Sequence, residues 1–329
     1  MAKLRLHIEN LSARPSVYHV TSERWTASAA RHADLARTLE VTIGWDGAGL
    51  DAMLGEADLV IGVPRQREGL ASRAPRLRWL HHTSAGIDSL LPLDWLPAGV
   101  ALTNNRGAHG AKAEQYLRMA YTALNVGLPR MIANQRAGRW EQLFSPGLPG
   151  QTALVIGLGD LGEAAARAAK QLGMSVIGVR RHAKPSPHAD RVMTYEHLDA
   201  VIPQADYVVL AVPLTPETRR LLDARRLALM KRTAGVINIA RAEVVDQDAL
   251  RSALIAGSIA GAVLDVVEPE PLPADAPLWN TPNLIVTPHV SCDDAARYVG
   301  ISLDLWFRNL ERFLRGEPLA STVNASLGY

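Results

Sequence analysis

The sequence predicts an α/β protein with two parallel sheets, and three observations support this fold class. Short apolar segments typical of strands alternate with helical segments along most of the chain. One of these strands runs directly into the spacing G-x-G-x-x-G, at Gly157, Gly159 and Gly162, which is typical of a strand that turns sharply into a helix. With 329 residues, 48% of them apolar, the chain has the length of two ordinary domains.

The first hundred residues are expected to form a small domain with its own sheet. Five short apolar runs are typical of strands: Leu4–Ile8, Leu39–Ile43, Leu59–Val63, Leu77–His81 and Ala101–Thr103. Helices are predicted between them at Ala27–Leu39 and Arg65–Ala74. Strands that alternate with helices in this way indicate a parallel sheet.

A polar connection at Asn104–Gly110 leads into a second α/β region. A helix is predicted over Ala111–Val126, and a second parallel sheet is expected between about residues 104 and 288. Its strands are predicted at Ala153–Ile156, Val176–Val179, Tyr207–Val212, Val236–Ala240, Gly261–Val266 and Leu284–Thr287. Further helices are predicted at Asp223–Met230 and Gln247–Ala256.

The tail, Asp293–Gly316, has the pattern of a long amphipathic helix. One stripe of this helix carries Leu303, Trp306, Phe307, Leu310 and Leu314. No strand is expected after it, so we expect it to return to the first domain. The predicted domains are residues 1–103 with 289–329, discontinuous in sequence, and residues 104–288.

Composition excludes several classes of protein. Lys and Arg number 35 against 33 Asp and Glu, and no basic run contains interleaved aromatic residues, so a nucleic-acid partner is not expected. The longest apolar stretches, such as Tyr207–Leu214, are too short to span a bilayer, and the first residues lack the apolar core of a signal peptide. Cys292 is the only cysteine, which favours a cytoplasmic protein without disulfides.

The segment Thr152–Arg181 indicates a dinucleotide site. Gly157 permits the tight turn, Gly159 lets a diphosphate approach the backbone, and Gly162 lets the helix pack close to the strand. The N–H groups at the start of that helix, together with its dipole, favour phosphate. Cofactor contacts are therefore expected along the whole loop: Gly157, Leu158, Gly159, Asp160, Leu161 and Gly162.

The residues after the second strand of this segment indicate which dinucleotide is preferred. An acidic residue there accepts from the ribose hydroxyls of NAD, whereas an arginine suits the 2′-phosphate of NADP. The sequence has Arg180 and Arg181 at this place and no carboxylate. We therefore predict a preference for NADP(H), with NAD(H) possible, because guanidinium pairs with phosphate. The alternative is that both arginines belong to a solvated loop.

Three later stretches carry residues suited to the reduction of a carbonyl group by a nicotinamide. They are Val236–Arg241, Asp265–Pro273 and Val286–His289, all at the carboxyl ends of predicted parallel strands, where open α/β sheets bind ligands. The reaction needs a proton donor, a cation for the negative group of the substrate, and a partner that keeps the donor protonated. A histidine, an arginine and a carboxylate meet these needs.

Together these motifs resemble the D-isomer-specific 2-hydroxyacid dehydrogenases. The resemblance covers nearly the whole chain and is strongest between Ala153 and His289, in GLGDLG, PLTPETRRLLDARRLALMKRTAGVINIAR, VVDQDAL, GAVLDVVEPEPLP and LIVTPH. It implies a doubly wound Rossmann-type cofactor domain, a smaller flavodoxin-like substrate domain, an active site in the cleft between them, and a homodimer. The implied reaction transfers a hydride between NAD(P)H and a small 2-oxoacid such as glyoxylate or hydroxypyruvate, giving a D-2-hydroxyacid.

The resemblance also implies catalytic roles. Arg241 would bind the carboxylate and carbonyl of the substrate, and His289 would be the general acid in reduction and the base in oxidation. Glu270 would hydrogen-bond His289 and favour its charged form. Glu270 is preferred to Glu268 because it directly precedes the proline of the family's E-P-L-P run.

The resemblance further implies contacts with the substrate and with the cofactor. Substrate is expected at the backbone N–H groups of Ser84, Ala85 and Gly86, as well as at Arg241 and His289. Cofactor is expected at Val212, Pro213, Thr215, Ala240 and Asp265, of which Asp265 would contact the nicotinamide amide. Asn104 and Arg106 are expected nearby.

Alternatives to a 2-oxoacid reductase stay open. Formate dehydrogenases have glutamine where Glu270 stands, which argues against formate, but phosphite oxidation keeps the same Arg, Glu and His. The fold also serves as a nucleotide-sensing corepressor that binds partner peptides. No metal is expected, because His81 and His82 lack a further ligand at suitable spacing.

The sequence departs from the family pattern at a few places. Ser84 occupies a glycine-like position in the substrate loop, Ala242 follows the arginine where glycine is common, and Ser291-Cys292 replaces a glycine-containing pair. These changes are expected to affect substrate fit. Trp140 resembles a family tryptophan near the dimer contact, with an ordinary core residue as the alternative.

Overall fold

The computed structural model describes residues 3–324 and divides the chain into two compact units. Unit 1 comprises Met1–Ala108 and Asp294–Tyr329, and unit 2 comprises His109–Asp293. Both junctions lie a few residues later in the chain than the sequence predicted. Each unit contains one fully parallel sheet, which confirms the α/β fold class. No described helix is both long enough and apolar enough to cross a membrane.

Unit 1 is built on a five-stranded sheet with the order β2-β1-β3-β4-β5. Its strands are β1 (Leu4–Asn10), β2 (Leu39–Trp45), β3 (Leu59–Ile61), β4 (Trp79–His81) and β5 (Ala101–Thr103). Four helices lie between them: α1 (Ser22–Arg31), α2 (Ala33–Ala36), α3 (Leu50–Glu56) and α4 (Leu70–Arg73).

Two helices predicted in unit 1 have the wrong bounds. The first begins earlier than expected, at Ser22, because the hydroxyl of Thr21 accepts a hydrogen bond of 3.3 Å from the N–H of Arg24 and caps the helix. It ends at Arg31, and Leu39 already belongs to β2. The second is shorter than expected and comprises only Leu70–Arg73.

Unit 2 is built on a seven-stranded sheet with the order β12-β11-β10-β9-β6-β7-β8. Its strands are β6 (Thr152–Ile156), β7 (Ser175–Val179), β8 (Arg191–Met193), β9 (Tyr207–Leu210), β10 (Gly235–Asn238), β11 (Gly261–Leu264) and β12 (Leu284–Val286). Its helices are α5 (Gly110–Asn125), α6 (Leu128–Arg136), α7 (Asp160–Gln171), α8 (Leu198–Val201), α9 (Ala224–Ala228) and α10 (Gln247–Ile255).

The central strand β6 shows why the sheet of unit 2 has two covered faces. Leu154 and Ile156 point into one hydrophobic cluster, and Ala153 and Val155 point into the other. All four side chains are completely buried. A continuous apolar run is what a parallel strand needs when helices cover both faces of its sheet.

The last helix, α11 (Tyr298–Leu314), returns to unit 1 and packs in its core. Leu303, Trp306, Phe307 and Leu310 are buried, as their stripe predicted. Leu314 is an exception, because it is the last residue of the helix and 46% of its surface is exposed. The indole of Trp306 stacks on that of Trp79 in β4, with ring centroids 5.2 Å apart.

Candidate active site

The glycine loop of unit 2 connects β6 to α7, and its three glycines have different surroundings. Gly157 has φ of +92°, and a Cβ atom there would lie 2.4 Å from the carbonyl oxygen of Ala211. A Cβ atom on Gly162 would lie 1.7 Å from the carbonyl oxygen of Gly157. Around Gly159, in contrast, no described atom outside its two chain neighbours lies within 4 Å of the Cβ position. The first and third glycines therefore serve the packing of the loop, and the second borders open space that suits a diphosphate.

The other loop residues mostly face the protein. Leu158 is buried and packs on Gly178 of β7, where a Cβ atom would lie 2.4 Å from its side chain. Leu161 is partly buried against the hydrophobic cluster that contains Leu158, Ala153 and Val155. The carboxylate of Asp160 points toward the start of α5, 3.0 Å from the Cβ position of Gly110. These residues can therefore meet a cofactor through the backbone N–H groups at the start of α7.

A tight turn between Pro213 and Thr218 follows β9. The hydroxyl of Thr218 donates to the carbonyl oxygen of Pro213 at 2.7 Å and accepts from the N–H of Thr215 at 2.8 Å. Val212 is buried, and its side chain lies 2.7 Å from the Cβ position of Gly157. This contact places the segment that begins with Val212 beside the glycine loop.

Arg180 and Arg181 follow β7, as predicted, but their surroundings differ. A hydrogen bond with Thr215 is the main cause that lowers the pKa of Glu217, and the positive charge of Arg181 lowers that pKa further. Arg181 therefore has an acidic neighbour. Arg180 is partly buried, and no described carboxylate lies within 4.0 Å of its guanidinium group. Its charge is therefore available to an anion.

His289 and Glu270 form a hydrogen-bonded pair. His289 Nδ1 lies 2.9 Å from Glu270 Oε2, while Glu270 Oε1 accepts the N–H of Val267 at 3.1 Å. Both side chains are about half exposed. The pairing leaves Nε2 of the imidazole as the nitrogen that can exchange a proton with a ligand.

The backbone of His289 adopts a conformation that is rare for residues with a side chain, with φ of +54°. Its N–H is held by the carbonyl oxygens of Asp265, at 2.9 Å, and Thr287, at 3.0 Å. Strain of this kind persists only where the surrounding structure fixes it, and it is concentrated at functional sites.

Asp265 is the anchor of this segment. Its side chain is buried, and one carboxylate oxygen accepts from the hydroxyl of Thr287 at 2.6 Å and from the N–H of Val290 at 2.9 Å. The other oxygen accepts from the N–H of Ser291 at 2.9 Å. The carboxylate therefore fixes the chain on both sides of His289, a role that its sequence position did not reveal.

Arg241 follows β10 and Ala240. The buried side chain of Asn238 accepts the N–H of Ala240 at 3.0 Å and donates to the carbonyl oxygen of Arg241 at 2.9 Å. Arg241 Nη1 donates to the carbonyl oxygen of Ala240 at 2.7 Å. Asn238, the last residue of β10, thus sets the direction in which Arg241 leaves the sheet.

His109 was not identified from the sequence, yet the charges of this site act on it. Its Nε2 lies 3.6 Å from the carboxylate of Asp293. Burial lowers the pKa of His109, the carboxylates of Asp293 and Asp160 oppose this change, and the charges of Arg241 and His289 add to it. Arg241 and His289 therefore lie within electrostatic reach of one buried imidazole. The only sequence signal was its place in the polar connection before α5.

The predicted substrate loop belongs to unit 1 and follows β4. The carbonyl oxygen of Ser84 accepts the N–H of Asn105 at 3.0 Å, and that of Ala85 accepts the side-chain amide of Asn104 at 2.7 Å. Ser84, Ala85 and Gly86 are partly exposed. With two of its carbonyl groups tied to the next segment, the loop can offer its N–H groups to an anion.

His81, one of the two histidines considered as metal ligands, contacts another protein side chain. His81 is buried, and its Nδ1 lies 2.9 Å from the hydroxyl of Thr103. Burial lowers the pKa of His81 to about 3, so the imidazole is neutral. Among residues 3–324, no group of three or more His, Cys, Asp or Glu side chains is arranged to hold a metal ion.

Comparison with known proteins is consistent with this geometry. The family described as "D-isomer specific 2-hydroxyacid dehydrogenase, NAD binding domain" matches residues 119–291. A glyoxylate reductase of Thermococcus gammatolerans is 34% identical over 263 residues, which cover 76% of this chain and 77% of the relative.

Two solved structures are similar over almost the entire chain. A D-isomer specific 2-hydroxyacid dehydrogenase of Xanthobacter autotrophicus in complex with NADPH and MES has a TM-score of 0.85 and 30% identity, with all of both chains covered. An NADPH-dependent glyoxylate/hydroxypyruvate reductase of Sinorhizobium meliloti in complex with NADP and sulfate has a TM-score of 0.83 and 26% identity, covering 99% of this chain and 100% of the relative. The chain therefore belongs to the D-isomer-specific 2-hydroxyacid dehydrogenase family, whose oxidoreductases use a nicotinamide dinucleotide bound to a Rossmann-type sheet.

Proposed function

We propose that the protein is a reductase of small 2-oxoacids that prefers NADPH, with glyoxylate and hydroxypyruvate as the first substrates to test. The observation that carries this proposal is the His289–Glu270 pair, 2.9 Å apart, in the same electrostatic environment as Arg241. The printed names of the glyoxylate reductase and of the glyoxylate/hydroxypyruvate reductase support the choice of substrates.

The three residues divide the chemistry between them. A bound reduced nicotinamide supplies the hydride to the carbonyl carbon. Arg241 pairs its guanidinium group with the substrate carboxylate, and protonated His289 donates from Nε2 to the carbonyl oxygen as negative charge develops there. Glu270 keeps the imidazole oriented through Nδ1 and balances its positive charge. One hydride and one proton thus convert the 2-oxoacid into a 2-hydroxyacid, and the D configuration is proposed from the family.

We assign cofactor binding to unit 2, and substrate binding to Arg241, His289 and the loop of Ser84, Ala85 and Gly86. The proposed cofactor contacts are the glycine loop, the turn from Val212 to Thr215, and Ala240. Asp265 is proposed to contact the nicotinamide amide through the carboxylate oxygen that accepts only one described hydrogen bond, from Ser291. In unit 1, the N–H groups of Ser84, Ala85 and Gly86 are proposed to bind the substrate carboxylate.

We propose Arg180 as the main contact of the 2′-phosphate. The support is its partly buried guanidinium group without a described acidic partner, together with the NADPH or NADP in the two similar structures. Arg181, which has Glu217 nearby, is assigned a secondary role.

A homodimer is proposed from two exposed aromatic residues of unit 2. Trp140 is 92% exposed and Phe144 is 89% exposed, so the alternative that Trp140 is an ordinary core residue of its own chain is wrong. Large apolar side chains at a surface are typical of contacts between subunits. A cytoplasmic location is proposed from the single cysteine.

The test is steady-state kinetics with a panel of 2-oxoacids and both reduced cofactors. We expect turnover of glyoxylate or hydroxypyruvate with a higher kcat/KM for NADPH than for NADH. In Arg180→Ala, this cofactor ratio should fall at least about tenfold, the effect of one lost charge-assisted hydrogen bond. Arg191→Ala is the matched control, because Arg191 lies on the neighbouring strand but donates to Gln204 and Met193.

Each part of the proposal has its own contrary result. Absence of turnover with every 2-oxoacid would refute the reductase. An NADPH to NADH ratio that does not change in Arg180→Ala would refute the phosphate contact. His289→Gln should lower kcat by orders of magnitude while NADPH binding, followed by fluorescence, stays nearly unchanged, and retained turnover would exclude His289 as the acid.

A further inference from the structure

Arg14 of unit 1 lies against the predicted substrate loop. Its Nη2 donates to the hydroxyl of Ser84 at 3.1 Å, and its Nη1 donates to the hydroxyl of Thr83 at 3.2 Å. Arg14 follows β1 and the loop follows β4, so both stand at the carboxyl edge of one parallel sheet. Ser84 is the residue that replaces a glycine-like position of the family, and its hydroxyl is the group that Arg14 contacts.

The guanidinium group of Arg14 is held in place but is not neutralised. It stacks on the ring of Tyr18, 4.3 Å from the ring centroid, and Tyr18 in turn packs edge-on against Tyr298, with centroids 5.2 Å apart. The hydroxyl of Tyr298 donates to the carbonyl oxygen of Thr83 at 2.6 Å. Within residues 3–324, no carboxylate lies within 4.0 Å of Arg14. A partly buried cation with only neutral partners favours an anionic ligand.

A second arginine of the same kind, Arg67, lies near this loop. Arg67 donates to the carbonyl oxygen of Ser89 at 3.0 Å and lies over the ring of Trp95, 5.5 Å from its centroid. No ion pair joins it to a carboxylate in the part of the chain that the structure describes. The pKa of His82 is lowered to about 4, mainly by burial, and the charges of Arg14 and then Arg67 contribute to this lowering. Since His82 is therefore neutral, the positive potential around the loop comes from the two guanidinium groups.

We propose that Arg14 recognises a second anionic group of the substrate, so that the enzyme prefers 2-oxoacids with a carboxylate or phosphate beyond the carbonyl carbon. This inference rests on the proposed function and names its substrate class more closely. The N–H groups of Ser84 to Gly86 are already assigned to one carboxylate of the substrate, so the charge of Arg14 is additional to them. Planar guanidinium suits both carboxylate and phosphate oxygens, so either anion fits the chemistry.

The test compares substrates in matched pairs. 2-Oxobutanedioate is paired with 2-oxobutanoate, and 3-phosphonooxy-2-oxopropanoate with hydroxypyruvate, so that each pair isolates the second anion. We expect the wild-type protein to have a kcat/KM at least about tenfold higher for one of the two anionic substrates than for its partner. The pair that shows the preference identifies the anion as carboxylate or phosphate.

Three variants test whether Arg14 causes the preference for a substrate with a second anionic group. Arg14→Leu should lower the ratio within the preferred pair by about 10- to 100-fold, mainly through KM. Arg14→Lys keeps the charge but loses the planar fork, so an intermediate ratio is expected, and this variant decides if Arg14→Leu does not fold. Ser84→Gly should lower the ratio by a smaller factor, because only one of the two hydroxyl contacts of Arg14 is lost. Arg37→Leu is the matched control, since Arg37 precedes β2 at the opposite edge of the same sheet and should leave the ratio unchanged.

The outcomes separate this inference from the function on which it rests. If the wild type reduces 2-oxoacids but does not distinguish the members of either pair, the role of Arg14 is overturned and the reductase stands. Equal losses for both members of a pair in Arg14→Leu also overturn it, because Arg14 would then only support the loop. If no 2-oxoacid is reduced at all, the proposed function and this inference both fall.

Discussion

Replacement of Asp265 by asparagine tests how the position of His289 is maintained. The carboxylate accepts hydrogen bonds from the hydroxyl of Thr287 and from the N–H groups of Val290 and Ser291, at 2.6, 2.9 and 2.9 Å. Asparagine retains one oxygen, so its amide nitrogen must face one of these donors. A buried donor left without a partner costs about 1–3 kcal/mol. For about 2 kcal/mol, Tm should fall by roughly 4–8 °C in a domain of this size.

The same change should affect catalysis more than the loss of stability alone. His289 has φ of +54°, a conformation that relaxes once the segment around it is released. A displacement of about 1 Å in a catalytic group lowers the rate by roughly 100-fold, so we expect kcat/KM to fall by one to two orders of magnitude. The measurements are a thermal melt and steady-state kinetics at a temperature well below the lowered Tm.

Asp206→Asn is the matched control for this experiment. Asp206 accepts from the N–H of Thr152 at 2.8 Å and from Lys231 at 2.7 Å, at the amino edge of the same sheet. It should lower Tm without a comparable loss of kcat/KM. The reasoning is refuted if Asp265→Asn keeps its kcat/KM, or if Asp206→Asn loses activity to the same extent.

Two further predictions concern the glycine loop and the cysteine. Gly162→Ala should destabilise the protein strongly, because its Cβ would lie 1.7 Å from a carbonyl oxygen, whereas Gly159→Ala should leave the Tm of the cofactor-free protein within about 2 °C and weaken cofactor binding. The melt of each variant and a cofactor titration check this contrast, and similar Tm values for the two variants would contradict it. Burial raises the pKa of Cys292 to about 12, so the thiol is protonated at pH 8 and alkylation by iodoacetamide should be far slower than for an exposed cysteine. The alkylation rate should increase with pH up to about 12, and rapid modification at pH 8 would show that the thiol is accessible and ionised.

The parts of the fold that depend on local sequence were predictable. The strand and the glycine loop from Thr152 onward were placed almost to the residue, and a helix was expected directly after them, because each glycine has a defined structural task in this turn. The helix α11 was recognised from its apolar stripe, and its return to unit 1 followed from the absence of a later predicted strand. The pairing of Glu270 with His289 was implied by the family resemblance, and their 2.9 Å contact is as expected.

Features that depend on distant contacts were not predictable. The short edge strand Arg191–Met193 was not predicted, because it lacks a long apolar run. It is a strand only through its hydrogen bonds to β7. The carboxylate of Asp265 was expected at the nicotinamide, and its bonds to the segment around His289 became visible only in three dimensions. His109 and Asp293 are far apart in sequence, so no spacing rule could connect them. Ser84 was noted as a departure, but its partner Arg14 lies on another element.

The return of α11 to unit 1 has a consequence for the order in which the protein forms during translation. All residues of unit 2 precede Asp294, so they are synthesised before α11. The core of unit 1 contains Trp79 stacked on Trp306, and this contact must wait for the later residue. A nascent chain whose second unit is complete in sequence therefore still carries an unfinished first unit, in which Trp79 lacks its stacking partner.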